Sequence, residues 1–343
     1  MTTALTAIAA VLIFCILIFV HELGHFISAK LLGIRVHEFA IGMGPKLFGK
    51  QKGETLYSVR ALPIGGYCAL EGEDTSSTDE RALSNKPAWV KLIVLVAGSF
   101  MNLLLGFVLL IWIFGTGKQV VVPQVAAVTQ ESAAAVAGVL PGDEILRFDG
   151  DRIHLSSDLH WAIERFSGET AEMVLRRNGE KVNLTITPDK TEAGISLGVQ
   201  LTIRDNSVLL TLKNGFYTTI FYGRVIITTL LDLLRGNIGI SSMSGPIGIV
   251  SQIGTAVEET ARTGWAGFLS LLQLAVLLTV NLGIFNLLPI PALDGGRIFF
   301  VLVEMIRRKP LPPEKEGMVH FIGFALLILL SLFIAYMDVL RLI

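Results

Sequence analysis

His21-Glu22-Leu23-Gly24-His25 is the run of side chains best suited to chemistry in this sequence. On a helix, positions i and i+4 share a face, so both imidazoles can point at one ion. Zinc accepts neutral imidazole, and a catalytic zinc keeps one position open for water. Glu22, next to both ligands, is placed to take a proton from that water and pass it to a leaving amine. The plainer reading makes these three residues a polar helix end facing water. Against it, the apolar run Ile13 to Val20 leads straight into the motif, and ionisable groups at membrane depth are costly unless they have a task. Two histidines leave zinc short of a protein ligand. The third must come from another membrane-embedded segment carrying a carboxylate or a histidine.

Asn286-Leu287-Leu288-Pro289-Ile290-Pro291-Ala292-Leu293-Asp294-Gly295-Gly296 offers one. Asp294 follows an apolar span that Pro289 and Pro291 break open, and unwound backbone at that depth is tolerated only where it lines a cavity. Gly295 and Gly296 would let backbone pass close to the metal. The alternative is that Asp294 caps the next helix, with Arg297 as its partner. Of the remaining histidines, His37, His154, His160 and His320 lack ligand-spaced partners. Only His320, near the start of the last apolar segment, is kept as a further ligand candidate.

The elements that must position these residues are set by a membrane-like composition. The 343 residues are 52% hydrophobic and 17% charged, with mean hydropathy +0.63, whereas soluble domains carry about a quarter charged residues. A formal net charge of -1 gives no basic footprint for nucleic acid. Cys15 and Cys68 make no disulfide framework. Four segments are long and apolar enough to cross a bilayer: Ala4–Leu32, Val90–Phe114, Phe268–Leu288 and Val319–Met337. The first lacks a basic leader and a small-residue cleavage site, so it reads as a retained helix rather than a signal peptide. Phe216–Leu234 carries Arg224 and Asp232 and fits an interfacial helix better than a fifth span. Lys and Arg residues concentrate between the first two spans and between the last two. Both segments are therefore expected on the cytoplasmic side, with the termini and the middle region opposite.

Between the first two spans, glycines alternate with β-formers over Phe39–Leu70, which predicts one or two hairpins against the membrane; these are expected to pair with an unwound substrate strand, a pairing that proline substitutions along Thr55–Val59 would disturb. The polar stretch Glu71–Ser84 reads as a mobile loop. The middle region, Lys118–Arg204, changes to short β-rich runs with turns at Pro141-Gly142-Asp143 and Asn178-Gly179, predicting a compact α+β domain. Ser132-Ala133-Ala134, then Ala137-Gly138-Val139-Leu140-Pro141-Gly142-Asp143-Glu144-Ile145-Leu146 and Asp149-Gly150, resemble a bacterial PDZ domain, a fold that binds extended peptides at a sheet edge. The expected fold is thus an α-helical membrane protein of about four transmembrane helices, with a membrane-associated β-hairpin region and an inserted PDZ-like domain. The expected divisions are residues 1–117, 118–205 and 206–343.

His-Glu-x-x-His in the first helix and Asn-x-x-Pro-x-Pro-x-Leu-Asp-Gly before the last are similar to the motifs of the site-2 protease family, and the single inserted domain narrows the resemblance to bacterial regulated intramembrane zinc metalloproteases. The resemblance implies Zn2+ held by His21, His25 and Asp294, Glu22 as catalytic base, and Asn286 as a residue that holds substrate backbone or stabilises the oxyanion. Gly98-Ser99-Phe100-Met101-Asn102 is similar to the family's Gly-x-x-x-Asn element, which helix packing explains as well as catalysis does. Ser244-Gly245-Pro246-Ile247-Gly248 matches a stretch common after the PDZ region and reads as a turn at the substrate entrance. The resemblance further implies single-span membrane substrates already cleaved by another protease, such as anti-sigma factors or remnant signal peptides. It also implies a place in the bacterial inner membrane, and a PDZ-like domain that filters or binds substrate ectodomains. A metal or proton transporter, or a membrane-tethered PDZ scaffold, are the alternative readings.

Overall fold

The computed structural model describes residues 2–73, 77–192, 194–239, 244–309 and 313–342. In chain order these form α1 (Thr2–Leu31), β1 (Val36–Lys52), β2 (Thr55–Leu70), α2 (Ala88–Thr116), β3 (Gln119–Val128), α3 (Ala133–Val136), β4 (Glu144–Phe148), β5 (Asp151–Arg152) and α4 (Ser156–Arg165). There follow β6 (Ala171–Arg177), β7 (Glu180–Ile186), β8 (Asp189–Thr191), β9 (Gly194–Ser196), β10 (Val199–Asp205), α5 (Val208–Leu234), α6 (Pro246–Thr263), α7 (Trp265–Leu287), α8 (Asp294–Arg307) and α9 (Pro313–Leu342). The chain divides into two compact units, one of Met1–Leu109 with Tyr222–Ile343 and one of Leu110–Phe221.

In the first unit, α1, α7 and α9, with most of α2, are built mainly of Leu, Ile, Val, Ala and Phe. Leu5, Ile8, Leu12 and Ile16 of α1 and Phe324, Leu329 and Leu332 of α9 are exposed, the inside-out pattern of helices solvated by lipid. Counting α5, five helices have the length and apolarity of membrane spans; the sequence reading counted four and set α5 apart. Ala10 and Leu17 of α1 bury against Ile253 of α6 and Leu278 of α7.

β1 and β2 form one long antiparallel hairpin that folds over itself. Ile41 faces both Val59 and Gly66, and Phe39 faces both Tyr57 and Cys68. Four short strands result, in the order 66–70, 36–41, 55–59, 48–52. The bends fall at Gly42, Gly44 and Gly65, whose φ values of 85, 82 and 88° suit glycine. This bears on where within Phe39–Leu70 a further strand could pair. Thr55–Val59 is paired on both sides and cannot accept a further strand, whereas Gly66–Leu70 lies at an edge.

The 71–84 segment is also tied down rather than loose at its ends. The Leu83 N–H donates to Glu71 O at 2.7 Å and the Glu71 N–H to Arg35 O at 2.9 Å. Arg81 and Lys30 both bond Glu54. Residues 74–76, the centre of the expected mobile loop, lie outside the described residues.

The second unit is α+β. Its main sheet runs β10-β3-β4-β6-β7, antiparallel throughout, with β5 added on β4. Phe148, Ile145, Met173, Leu175, Ile186 and Leu159 fill the core. Asn178 and Gly179 turn β6 into β7 with φ of 51 and 89°, the two left-handed residues of a tight hairpin. Asp143 is buried and holds the 140–143 turn: it accepts from the Leu140 N–H at 2.8 Å and from Arg177 at 2.8 Å. That guanidinium keeps the Asp143 carboxyl below the usual carboxylate range. Asn206 donates to Phe114 O at 2.8 Å and to Gly117 O at 3.1 Å, so α5 starts where α2 ends.

Candidate metal centre

His21 and His25 lie one turn apart on α1, both buried. Gly24 between them lets α2 approach: a Cβ there would meet Ala97 O at 2.3 Å. Gly98 completes the crossing, since its own Cβ would fall 2.3 Å from His25 Nε2 and 2.9 Å from His21 Nε2. The backbone of α2 is therefore laid directly against the two rings. His25 Nδ1 donates to Val94 O at 2.8 Å, which leaves Nε2 as a bare lone pair. On the same face of α2, four residues beyond Gly98, the Asn102 carboxamide sits 3.3 Å from His21 Nδ1. It is fully buried, its Oδ1 has no partner among the described residues, and its backbone carbonyl accepts from Thr279 at 3.0 Å.

Asp294 opens α8 after the break at Leu288–Leu293. Its Oδ2 lies 3.1 Å from His21 Nε2 and 3.3 Å from His25 Nε2, and the two Nε2 atoms are 3.3 Å apart. Asp294 Oδ2 is buried without a hydrogen bond. His21 Nε2, His25 Nε2 and Asp294 Oδ2 thus face one point, and with the His25 proton held on Nδ1 by Val94 O, a cation there would satisfy all three. A tetrahedral zinc with bonds of about 2.0–2.1 Å sets its ligands about 3.3 Å apart. The residues present fit the metal. Among the described residues these three are the group able to hold one.

Glu22 follows His21 on α1, with Gly66 of the β2 edge beside it; a Cβ on Gly66 would lie 3.7 Å from Glu22 Cγ. Asn286, near the end of α7, brings Nδ2 to 3.3 Å from His21 Nε2. His21, Glu22, His25, Asn286 and Asp294 therefore converge on one place.

Other details depart from the sequence reading. Gly295 and Gly296 make room for carbonyls of their own loop: Cβ atoms there would meet Leu288 O at 2.0 Å and Ile290 O at 2.6 Å. Arg297 bonds Glu73 at 2.6 Å. His320 does not join the ligands. Its Nδ1 accepts from the Ala292 N–H at 2.8 Å, steadying a loop residue held at φ 77°. Gly245 and Gly248 N–H groups donate to Asp338 of α9, at 3.1 and 2.9 Å. Val94 and His320 act as supports that no motif pointed to, and Asn102, which packing explained as well as catalysis did, lies against His21. The available signal was the four-residue spacing of Val94, Gly98 and Asn102, which matches that of the two histidines.

Residues 9–330 match peptidase family M50. A putative zinc metalloprotease of Clostridium acetobutylicum is 36% identical over 97% of this chain and 96% of its own length. The zinc metalloprotease RasP of Geobacillus kaustophilus is 32% identical, covering 97% of each chain. The regulator of sigma-W protease RasP of Bacillus subtilis is 29% identical over 98% of this chain and 99% of its own length. With that match over nearly its whole length and three ligand-type side chains brought together from its two motifs, the chain belongs to peptidase family M50, the site-2 protease family, and is an intramembrane zinc metalloprotease.

Proposed function

We propose that His21, His25 and Asp294 hold the zinc and that Glu22 is the base that hydrolyses a peptide bond of a membrane-protein substrate. The observation that carries this is the convergence of His21 Nε2, His25 Nε2 and Asp294 Oδ2 at 3.1 to 3.3 Å from one another, the separation of ligands on a tetrahedral zinc. When bound, zinc supplies Lewis acidity, which makes a carbonyl more electrophilic and a water more acidic. Glu22, adjacent in sequence to one ligand, takes the proton of the attacking water and returns it to the leaving amine. The Asn286 amide donates to the negative charge that develops on the carbonyl oxygen. Asn102 acts one shell further out. A histidine that binds through Nε2 carries its proton on Nδ1, and Asn102, whose carboxamide lies 3.3 Å from that nitrogen, accepts it once the amide is flipped to present Oδ1 in place of Nδ2. Glu22→Gln tests the reading: zinc stays bound and cleavage of a model transmembrane peptide is lost. A variant that cleaves at the wild-type rate overturns it; a transporter would show changed flux, and a scaffold no change.

An intact helix hides its carbonyls in internal hydrogen bonds, so substrate must unwind before it reacts. The 66–70 edge, with Gly66 beside Glu22, supports a reading in which that edge pairs with the unwound strand. In the inserted domain, read as residues 118–205 and PDZ-like, β10 is likewise an edge strand. We read this domain as a filter that excludes large ectodomains, so that substrates are single-span proteins already trimmed, such as anti-sigma factors or remnant signal peptides. Deleting Lys118–Arg204 then permits cleavage of untrimmed substrate, whereas a recruiting domain predicts loss of all cleavage.

Four crossings, with the zinc toward the cytoplasm and the inserted domain opposite, remain our reading of topology. His25 and Asp294 meet, so the chain between them crosses the bilayer an even number of times; α2 and α7 supply two. Gly245, bonded to Asp338 near the end of α9, supports a return to the far side before α6 begins, which leaves α5 no net crossing. The residues flanking the inserted domain then form divisions 1–117 and 206–343.

A further inference from the structure

A cleft of about 510 Å³ in the inserted domain lies between the sheet and the first turns of α5. Its charged lining is one-sided. Arg147, Arg152, Lys181 and Lys213 are exposed and have no acidic partner among the described residues; Glu144 is taken by Arg176 at 2.8 Å. The strand register makes this arrangement unfavourable by itself. Arg147 stands directly opposite Arg152 on β5, and Arg176 directly opposite Lys181 on β7. Like charges in facing positions destabilise a sheet, and here two such pairs sit on adjoining strands. An anion in the cleft would relieve both.

The position of the cleft narrows the class of anion. Asn206 ties the start of α5 to the last turn of α2, the point at which an apolar helix gives way to a polar domain. From there α5 exposes Leu209, Leu212, Phe216 and Ile220, then Ile227, Leu231 and Leu234, a stripe at helical spacing. Lys213 and Tyr217 line the cleft beside the start of that stripe. Tyr217 stacks on His154 with ring centroids 4.0 Å apart. A tyrosine and a lysine at the head of an apolar face mark headgroup level, whether the helix crosses the bilayer or lies along it. A ligand suited to this place has a phosphate at one end and acyl chains at the other.

We propose that the cleft binds the headgroup phosphate of an anionic phospholipid and so seats the inserted domain on the membrane surface. The full-length protein in detergent, given phosphatidylglycerol or phosphatidylcholine and examined by native mass spectrometry, tests this. Wild type is expected to retain phosphatidylglycerol at least fivefold better than phosphatidylcholine. Each removed cation should weaken retention about fivefold, so Arg147→Gln/Arg152→Gln/Lys181→Gln/Lys213→Gln should abolish the preference. These side chains are exposed, and an unchanged melting temperature verifies the fold. Glu144→Gln, which removes the acid in the cleft, should strengthen retention. Equal lipid binding by wild type and the fourfold variant overturns the proposal. So does displacement of the lipid by millimolar glycerol phosphate, which would make this a site for a soluble phosphate. Charge-dependent capture of an acidic peptide without any lipid preference overturns it as well.

Discussion

Gly98→Ala is the smallest change that separates the metal centre from the fold around it. Ala is a better helix former than Gly by about 0.5–1 kcal/mol, so propensity alone predicts a slightly steadier α2. The added methyl, however, would lie 2.3 Å from His25 Nε2 and 2.7 Å from His21 Cε1. That is about 1 Å inside ordinary contact distance, and the atoms it meets belong to the ligating edges of both rings. Neither ring can swing away freely, because His25 is bonded to Val94 O and His21 to Asn102. Metal sites tolerate about 0.2 Å of error in ligand position. Moving α2 outward to clear the methyl also withdraws Val94 O and Asn102. Zinc affinity should therefore fall by more than the ~100-fold typical of losing one outer partner, while the zinc-free protein melts within a few degrees of wild type. Metal content by mass spectrometry after dialysis against a graded chelator, with thermal unfolding of the metal-free form, reads both quantities. Gly106→Ala on the same helix is the control: the nearest atoms to its methyl are side-chain carbons of Val280, Thr279 and Val276 rather than ring atoms of the histidines, and it should keep its zinc. One tightly held zinc per chain in Gly98→Ala would refute the claim that α2 shapes the site.

Asp294→Ala should leave a two-histidine site that loses zinc to mild chelators and cleaves nothing; stoichiometric metal in that variant would mean another residue completes the cage. Asn102→Leu should weaken zinc about 10–100-fold, and Asn102→Asp, which keeps an acceptor, should restore most of it; equal loss in both would reduce Asn102 to packing. His320→Phe removes the acceptor of the Ala292 N–H and should lower turnover more than metal content, a split visible by comparing cleavage with bound zinc. In the inserted domain, Asp143 is held below its ordinary range by Arg177, so its contribution is present above the unfolded carboxylate pKa of about 3.9 and lost as pH falls below it. Asp143→Ala should destabilise that domain by about 1.5–3 kcal/mol at neutral pH, and a melt unchanged at pH 7 would count against it.

The proposed ligands could be picked out because metal chemistry restricts both residue type and spacing, and His21, His25 and Asp294, which the fold brings together, satisfy both. The breaks at Pro289 and Pro291 and the hairpin at Asn178-Gly179 were legible for the same reason: backbone geometry narrows the choice of residue. What could not be read was which surface each glycine serves. Gly295 and Gly296 accommodate loop carbonyls rather than metal, and Gly42, Gly44 and Gly65 bend the hairpin so that Thr55–Val59 becomes interior. Those facts depend on register and crossing, which a one-dimensional pattern does not carry. The start of α5 was an avoidable miss. Ser207 accepts from the Leu210 N–H at 3.2 Å, an N-cap just ahead of Val208-Leu209-Leu210.

The sequence separation within the centre has a consequence for biosynthesis. His21 and Asn286 touch although 265 positions divide them, and Asp294 is made later still. A nascent chain threading into the bilayer presents its two histidines early and lacks Asp294, the proposed third ligand, until most of the polypeptide has been translated. During that interval the unfinished hydrolase sits among other newly inserted helices with its cutting machinery unassembled, and so cannot attack its neighbours or itself.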